Sequence, residues 1–396
     1  MRPVPARLAL VTAGHFTIDA YSSFFTPLLP LLMARLGLGL TEVGALVAIA
    51  SVGTSFSQPL FGLLSDRLRR PWFVAAGPLV AALFMSAVGA APSYPALVAL
   101  LLAGGAGVAA FHPQAAALAR EVSPRPQIGM SIFVTGGTLG FALGPLFAAA
   151  TAERFGLERT WLAALPGLVV GGLLFARFVT LAPAAHEAAP RAPLRALRPV
   201  IVPLALLYTA VVCRSAVSYG FMTFLPIHLH AAGYGVQAGG ALTTLYLAAG
   251  ALGGVLGGWA AERHGGRAVV RLSFLGAMPL YAAFVLVPGA PGLAGLVLGS
   301  FVLQTSLPVN VVLGQELSPR HASTIASLLM GAAWGVGALL IGPTGALADR
   351  AGLPAALAAL AGLLVVGLAC GLALPEARRP AAAPGAGPRA AGAAGE

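Results

Sequence analysis

The sequence contains no lysine: all 23 of its basic residues are arginine. Alanine, glycine and proline are abundant beside it, a bias that reflects genome composition more than function. Charge of either sign is scarce, at 9% of residues, against about a quarter in an ordinary soluble domain. Only two cysteines occur, Cys213 and Cys370, far apart and inside apolar runs. That spacing excludes a disulfide framework and a cysteine metal site. There is no nucleotide-binding P-loop and no nucleophile–base set, so neither an enzyme nor a cofactor is expected, and no metal site. What is plentiful is apolar sequence: 58% of 396 residues, with a mean hydropathy of +0.89. The chain reads as an all-α, multi-pass membrane protein. A net charge of +11 would suggest nucleic acid in a soluble protein, but here the arginines lie in short loops, where they set topology, and no nucleic-acid partner is expected.

Apolar runs fall at 8–33, 41–64, 72–91, 95–118, 129–152, 160–182, 199–229, 237–261, 268–288, 292–316, 322–347 and 353–375, which predicts twelve transmembrane helices. Arg2 and Arg7 precede the first run as in a signal peptide, but the run is long, contains Asp19 and lacks a cleavage site, so it reads as a retained helix. With both termini in the cytoplasm, the inside segments hold most of the arginines and the outside segments only Arg35, Arg154, Arg159 and Arg350. The longest polar connector, 183–198, divides a six-helix bundle at 1–182 from a second at 199–375. The Ala/Pro/Gly-rich tail, 376–396, is expected to be disordered and cytoplasmic.

The halves repeat. Gly62…Asp66-Arg67 matches Gly258…Glu262-Arg263 at a shift of 196, which also takes Pro30 to Pro226, each expected to end its helix. Arg120-Glu121…Arg125 matches Gln315-Glu316…Arg320 at 195, and Gly144-Pro145 matches Gly342-Pro343 at 198. Parallel six-helix repeats about a central site are a transporter architecture.

At these residues the chain resembles the major facilitator superfamily. Gly62, Asp66, Arg67 and Arg70 look like its signature loop after the second helix, with a weaker copy at Gly258, Glu262 and Arg263. Gly136-Gly-Thr-Leu-Gly140 to Gly144-Pro145 resembles the fifth-helix motif of its drug–proton antiporters. Gly14-His15-Phe16, Asp19, Gln58-Pro-Leu-Phe-Gly62 and Phe111-His112-Pro113 narrow the likeness to the fosmidomycin-resistance efflux branch. The resemblance implies two pseudo-twofold-related bundles, alternating access, a bacterial inner-membrane location, a monomer, and proton-driven efflux of a small drug-like or anionic compound such as a phosphonate antibiotic. One departure is notable. The fourth-helix arginine of many drug antiporters is absent from Leu101-Leu-Ala-Gly104-Gly105-Ala-Gly107, so coupling must use another group.

That group is sought among the polar residues at membrane depth. Asp19 costs about 2.5–3.5 kcal/mol at the centre of a spanning helix, so it is expected to have a partner and a task. His15, four residues earlier, shares its face. The two are candidates for proton coupling, or else a hydrogen-bonded tie between helices. Arg214 corresponds to position 18 in the repeat; it is expected either to bind an anionic substrate or to pair with Asp19. His112, Gln114, Tyr21 and Asn310 are further substrate-contact candidates, with helix packing as the alternative for each. Gly62, Asp66, Arg67, Arg70 and Glu121, repeated by Glu262, Arg263 and Glu316, are read as a cytoplasmic gate, with Arg70 or Arg67 pairing with Glu121, or as topology-setting charges alone. Gly140, Gly144 and Pro145 are read as a helix-packing motif. Uptake of an organic anion or sugar-like solute is the rival transport reading, and a non-transporting receptor the remote one. The expected partners are a small substrate, protons and the bilayer.

Overall fold

A main chain in hydrocarbon finds no water for its N–H and C=O groups, so an apolar run closes its own hydrogen bonds as a helix. The computed structural model describes residues 5–65, 68, 70–123, 126–179, 194–318, 321, 325 and 328–375, and among them there are helices and turns but no strand. Among the described residues, eleven spans are long and apolar enough to cross a membrane: Leu40–Gly62, Trp72–Ala90, Tyr94–Ala119, Ile132–Phe155, Leu157–Phe178, Leu197–Ala231, Val236–His264, Gly266–Leu286, Ala290–Leu317, Leu328–Ala351 and Leu353–Ala373. They are the second to twelfth of twelve.

The first span is interrupted. Helix Ala6–Ser22 gives way to a 3-10 turn, Thr26–Leu28, and a second helix, Leu29–Leu36. Pro27 and Pro30 each stand in the opening turn of their element, where a missing N–H leaves no bond unmade. Pro30 therefore begins a helix rather than ending one, and Pro226 lies inside Ile201–Ala231. The repeat places these prolines equivalently, but neither ends its span.

Spans one to six pack into one bundle and seven to twelve into the other. Leu165, Val169, Val255 and Leu286 remain exposed on the spans, apolar surface that suits lipid. Along the first span, the fifth span presents glycines. A Cβ at Gly140 would strike the Phe16 carbonyl, and one at Gly144 the Ser23 hydroxyl and the Ala20 carbonyl. The motif thus lets two backbones meet, as the sequence suggests.

Twelve crossings bring the first and last helices to one face, called here the terminal face; the opposite one is the distal face. Between the bundles, the second span meets the eleventh, the fifth meets the eighth, and the turn of the first meets the seventh. These contacts run from mid-depth to the distal face. Leu146 N–H donates to Thr244 Oγ1 at 3.1 Å, and Gly240 lies against Pro145 and Ala149. On the terminal side, helices Gln58–Ser65 and Ser306–Leu317 pack on their own bundles.

Candidate functional site

Asp19 lies between two imidazoles. One turn away on the same helix, His15 Nε2 is 3.3 Å from Asp19 Oδ2. From the fourth span, His112 Nε2 is 3.2 Å from the other oxygen, Oδ1. Each histidine is fixed at its far nitrogen: His15 Nδ1 is 2.8 Å from the Phe133 carbonyl and His112 Nδ1 2.8 Å from the Val108 carbonyl. The Phe133 ring stacks on His15 with centroids 4.0 Å apart. Gly137 makes room, since a Cβ there would strike both the His15 ring and the Asp19 carboxylate. The His15–Asp19 pairing expected from their spacing is present, and His112 joins it rather than standing apart as a substrate contact. The glycines of the fourth span that replace the antiporter arginine pack against Met85, Gly53 and Gly77.

Arg214, expected as a possible partner of Asp19, is held elsewhere. Its Nη1 donates to Gln304 Oε1 at 2.7 Å and its Nη2 to Ser215 Oγ at 3.3 Å. The guanidinium carbon lies 5.2 Å from the Trp334 ring centroid. The side chain is 1% exposed, its Nε has no partner, and no carboxylate within ion-pair distance faces it among the described residues. A buried cation without a counter-charge is costly. Gln304 and Trp334 were not singled out in the sequence; the only signal was a polar side chain, Gln304, within an apolar run.

Three other candidates take different places. Gln114 Oε1 accepts from Phe73 and Val74 N–H at 2.8 and 3.1 Å, while its amide donates to Ser65 Oγ at 3.1 Å. It caps the third span, whose Pro71 N-cap supplies no side-chain bond. Tyr21 is 1% exposed; its hydroxyl donates to the Ala163 carbonyl at 2.5 Å and accepts from Gly167 N–H at 3.1 Å, tying the first span to the sixth. Asn310 is buried, and both its amide atoms lack a partner among the described residues.

Of the expected gate, Asp66 and Arg67 lie outside the described residues. Gly62 packs beside Pro113. Arg70 and Glu121 are exposed and form no ion pair with each other; the other expected partner of Glu121 is Arg67, outside the described residues. Glu262 and Glu316 are likewise exposed, and Arg263 stacks on Trp259 at 4.0 Å instead of pairing with a carboxylate. A cross-bundle contact exists instead at the distal face. Asp349, at the end of the eleventh span, accepts from Leu40 N–H, Thr41 N–H and Thr41 Oγ1 at 3.0, 2.7 and 2.6 Å. The sequence offered no sign of it beyond an acid near a loop.

The arrangement is a titratable cluster in one bundle, a buried cation with no carboxylate beside it among the described residues in the other, and contact between the bundles at the distal face. Among known proteins, the chain is 28% identical over 378 residues to the uncharacterized MFS-type transporter YfnC of Bacillus subtilis, covering 91% of each. It is 26% identical over 358 residues to the fosmidomycin resistance protein of Escherichia coli, covering 87% of this chain and 86% of that one. A bacterial homologue of the human lysosomal transporter Spinster, solved in an inward-facing and occupied conformation, superposes with a TM-score of 0.79 at 17% identity over 92% of this chain and 95% of that one. The family model of the Major Facilitator Superfamily matches residues 11–341. The chain belongs to that superfamily and is a multi-pass membrane transporter.

Proposed function

We propose that the protein exports a small anionic compound, such as a phosphonate, in exchange for protons across the bacterial inner membrane. The observation that carries the reading is Arg214, buried with no counter-charge among the described residues and with its Nε unpartnered there. A planar guanidinium fork matches carboxylate and phosphonate oxygens. The His15–Asp19–His112 cluster supplies groups able to take up and release protons. The name of the fosmidomycin resistance relative and the glycine face of the fifth span support export. With the terminal face in the cytoplasm, as the arginine distribution argues, the closed distal side makes this an inward-facing state. Asp19, at 17% exposure, is then reached from inside. The bundles at 1–182 and 199–375 rock about this centre, with 183–198 as linker.

A second reading, uptake of an organic anion together with protons, is favoured by one observation. Protons on the cluster and the charge on Arg214 have the same sign, so a bound proton strengthens rather than opposes anion binding. Expression in a pump-deficient bacterium tests export: the wild type should raise resistance to fosmidomycin or a related phosphonate, and Asp19→Asn and Arg214→Ala should not. Full resistance from both variants at normal protein levels would make the assignment wrong. Inverted vesicles with an imposed pH gradient separate the two directions by whether the probe moves against the protons or with them.

A further inference from the structure

We propose that His15, Asp19 and His112 form one site that binds two protons as a unit. The proposal rests on the proton-coupled reading above and specifies its cargo.

A neutral imidazole carries a single N–H. Both Nδ1 atoms lie 2.8 Å from main-chain carbonyl oxygens, of Phe133 and Val108, which only accept. Each neutral ring must therefore keep its proton on Nδ1, and each Nε2 turns a bare lone pair toward the Asp19 carboxylate. Lone pairs facing oxygen at 3.2 and 3.3 Å repel. A proton on each contact converts the repulsion into a charge-assisted hydrogen bond. The two contacts use different oxygens, Oδ2 toward His15 and Oδ1 toward His112, so one proton cannot serve both. The observed arrangement is the loaded form: a carboxylate between two imidazoliums, net +1. The empty form, a carboxylate with two neutral rings, is net −1, and the difference is two protons.

Both contacts are satisfied only when both rings are charged. Protonating either ring alone leaves the other lone pair against the carboxylate, so the first proton only half-relieves the geometry. Both helices that carry the groups belong to one bundle, so rocking of the bundles does not pull the site apart. Exposure is graded, 26% at His112, 17% at Asp19 and 8% at His15, which makes His112 the entry port and His15 the inner seat. The third, fifth and sixth spans, which also pack on the first, bring no other ionisable group to the carboxylate among the described residues. From the seventh span, Tyr219 lies within electrostatic reach of both Asp19 and Arg214.

Nitrogen-15 NMR of histidine-labelled full-length protein in nanodiscs, with a chelator present, tests this without any substrate, so its outcome is independent of whether the export reading holds. Signals are assigned with His15→Gln and His112→Gln. The expected result is that both rings reach a doubly protonated form and that each keeps its Nδ1 proton when it loses the one on Nε2. Asp19→Asn, which removes the shared carboxylate, should change the protonation of both rings and not of one alone. A neutral Nε2–H form of either ring, or a ring that never becomes doubly protonated, overturns the proposal. The wild-type spectra decide even if a variant fails to fold.

Discussion

Asp349 of one bundle serves as the helix cap of Thr41 in the other. Its carboxylate takes the Leu40 and Thr41 amides and the Thr41 hydroxyl together. A helix start leaves its first N–H groups without partners, and a side-chain oxygen normally supplies them. Gly39, at the N-cap of this helix, has no side chain to offer. The second span is therefore fully capped only while the bundles touch at the distal face. Removing a cap costs about 1 kcal/mol, so Asp349→Ala should lower the ratio of distal-closed to distal-open molecules roughly fivefold. Spin-label distances across the distal face, measured in nanodiscs, read that ratio directly. Thr41→Ala, which keeps both backbone donors, should have the smaller effect. Unchanged distances in Asp349→Ala would mean that the apolar crossing of the second and eleventh spans holds the face alone.

The fifth-span glycines bear on stability before they bear on transport. A methyl at Gly140 meets the Phe16 carbonyl, which belongs to the helix carrying His15 and Asp19. Overpacking of this kind costs about 1–3 kcal/mol. Gly140→Ala should lower the thermal midpoint of the purified protein and disturb the cluster one turn away. Gly172→Ala, with open space around its Cβ position, is the control and should leave the midpoint where it was.

Gln114 separates a structural role from a binding one. Leucine at this position leaves the Phe73 and Val74 amides without their acceptor, at a cost of about 1–3 kcal/mol for unsatisfied buried donors. Gln114→Leu should therefore lower the melting temperature, while Gln114→Glu, which keeps the acceptor oxygen, should restore most of it. Substrate range should be the same in all three proteins. A change in range at unaltered stability would return Gln114 to the binding site.

These particulars show what was legible in the sequence and what was not. Twelve spans could be read because hydrocarbon solvent forces apolar length, and the repeat could be read because Gly62, Glu121 and Gly144 recur at nearly one offset. His15 and Asp19 could be paired because helix geometry fixes neighbours at i and i+4. Nothing local fixes which helix comes to face that pair. His112 reaches Asp19 because the fourth span packs there, and Arg214 turns instead to Gln304 and Trp334. The repeat equates positions in depth, not in direction, so it placed Arg214 near the level of Asp19 without showing where its side chain points. Arg70 and Glu121 stay unpaired for a different reason: both are exposed, and a pair between two solvated side chains gains little.

Arg214 carries the sharpest consequence. A charged arginine at the centre of a spanning helix costs about 2.5–3.5 kcal/mol on insertion scales, and among the described residues two neutral acceptors and an aromatic face offset it. If the guanidinium served the fold, its removal would destabilise the protein. If it is kept for an anionic substrate, the cost is borne in the empty protein and recovered on binding. Arg214→Met should therefore raise the thermal midpoint of the substrate-free protein while abolishing phosphonate resistance. Arg214→Lys keeps the charge but loses the fork, and should retain little of the resistance. Gln304→Leu removes the one strong acceptor, and should lower stability while leaving the guanidinium freer for an anion. A fall in the midpoint of Arg214→Met would identify the arginine as a structural element, and the anion site would then have to be sought elsewhere, beginning with the unpartnered amide of Asn310.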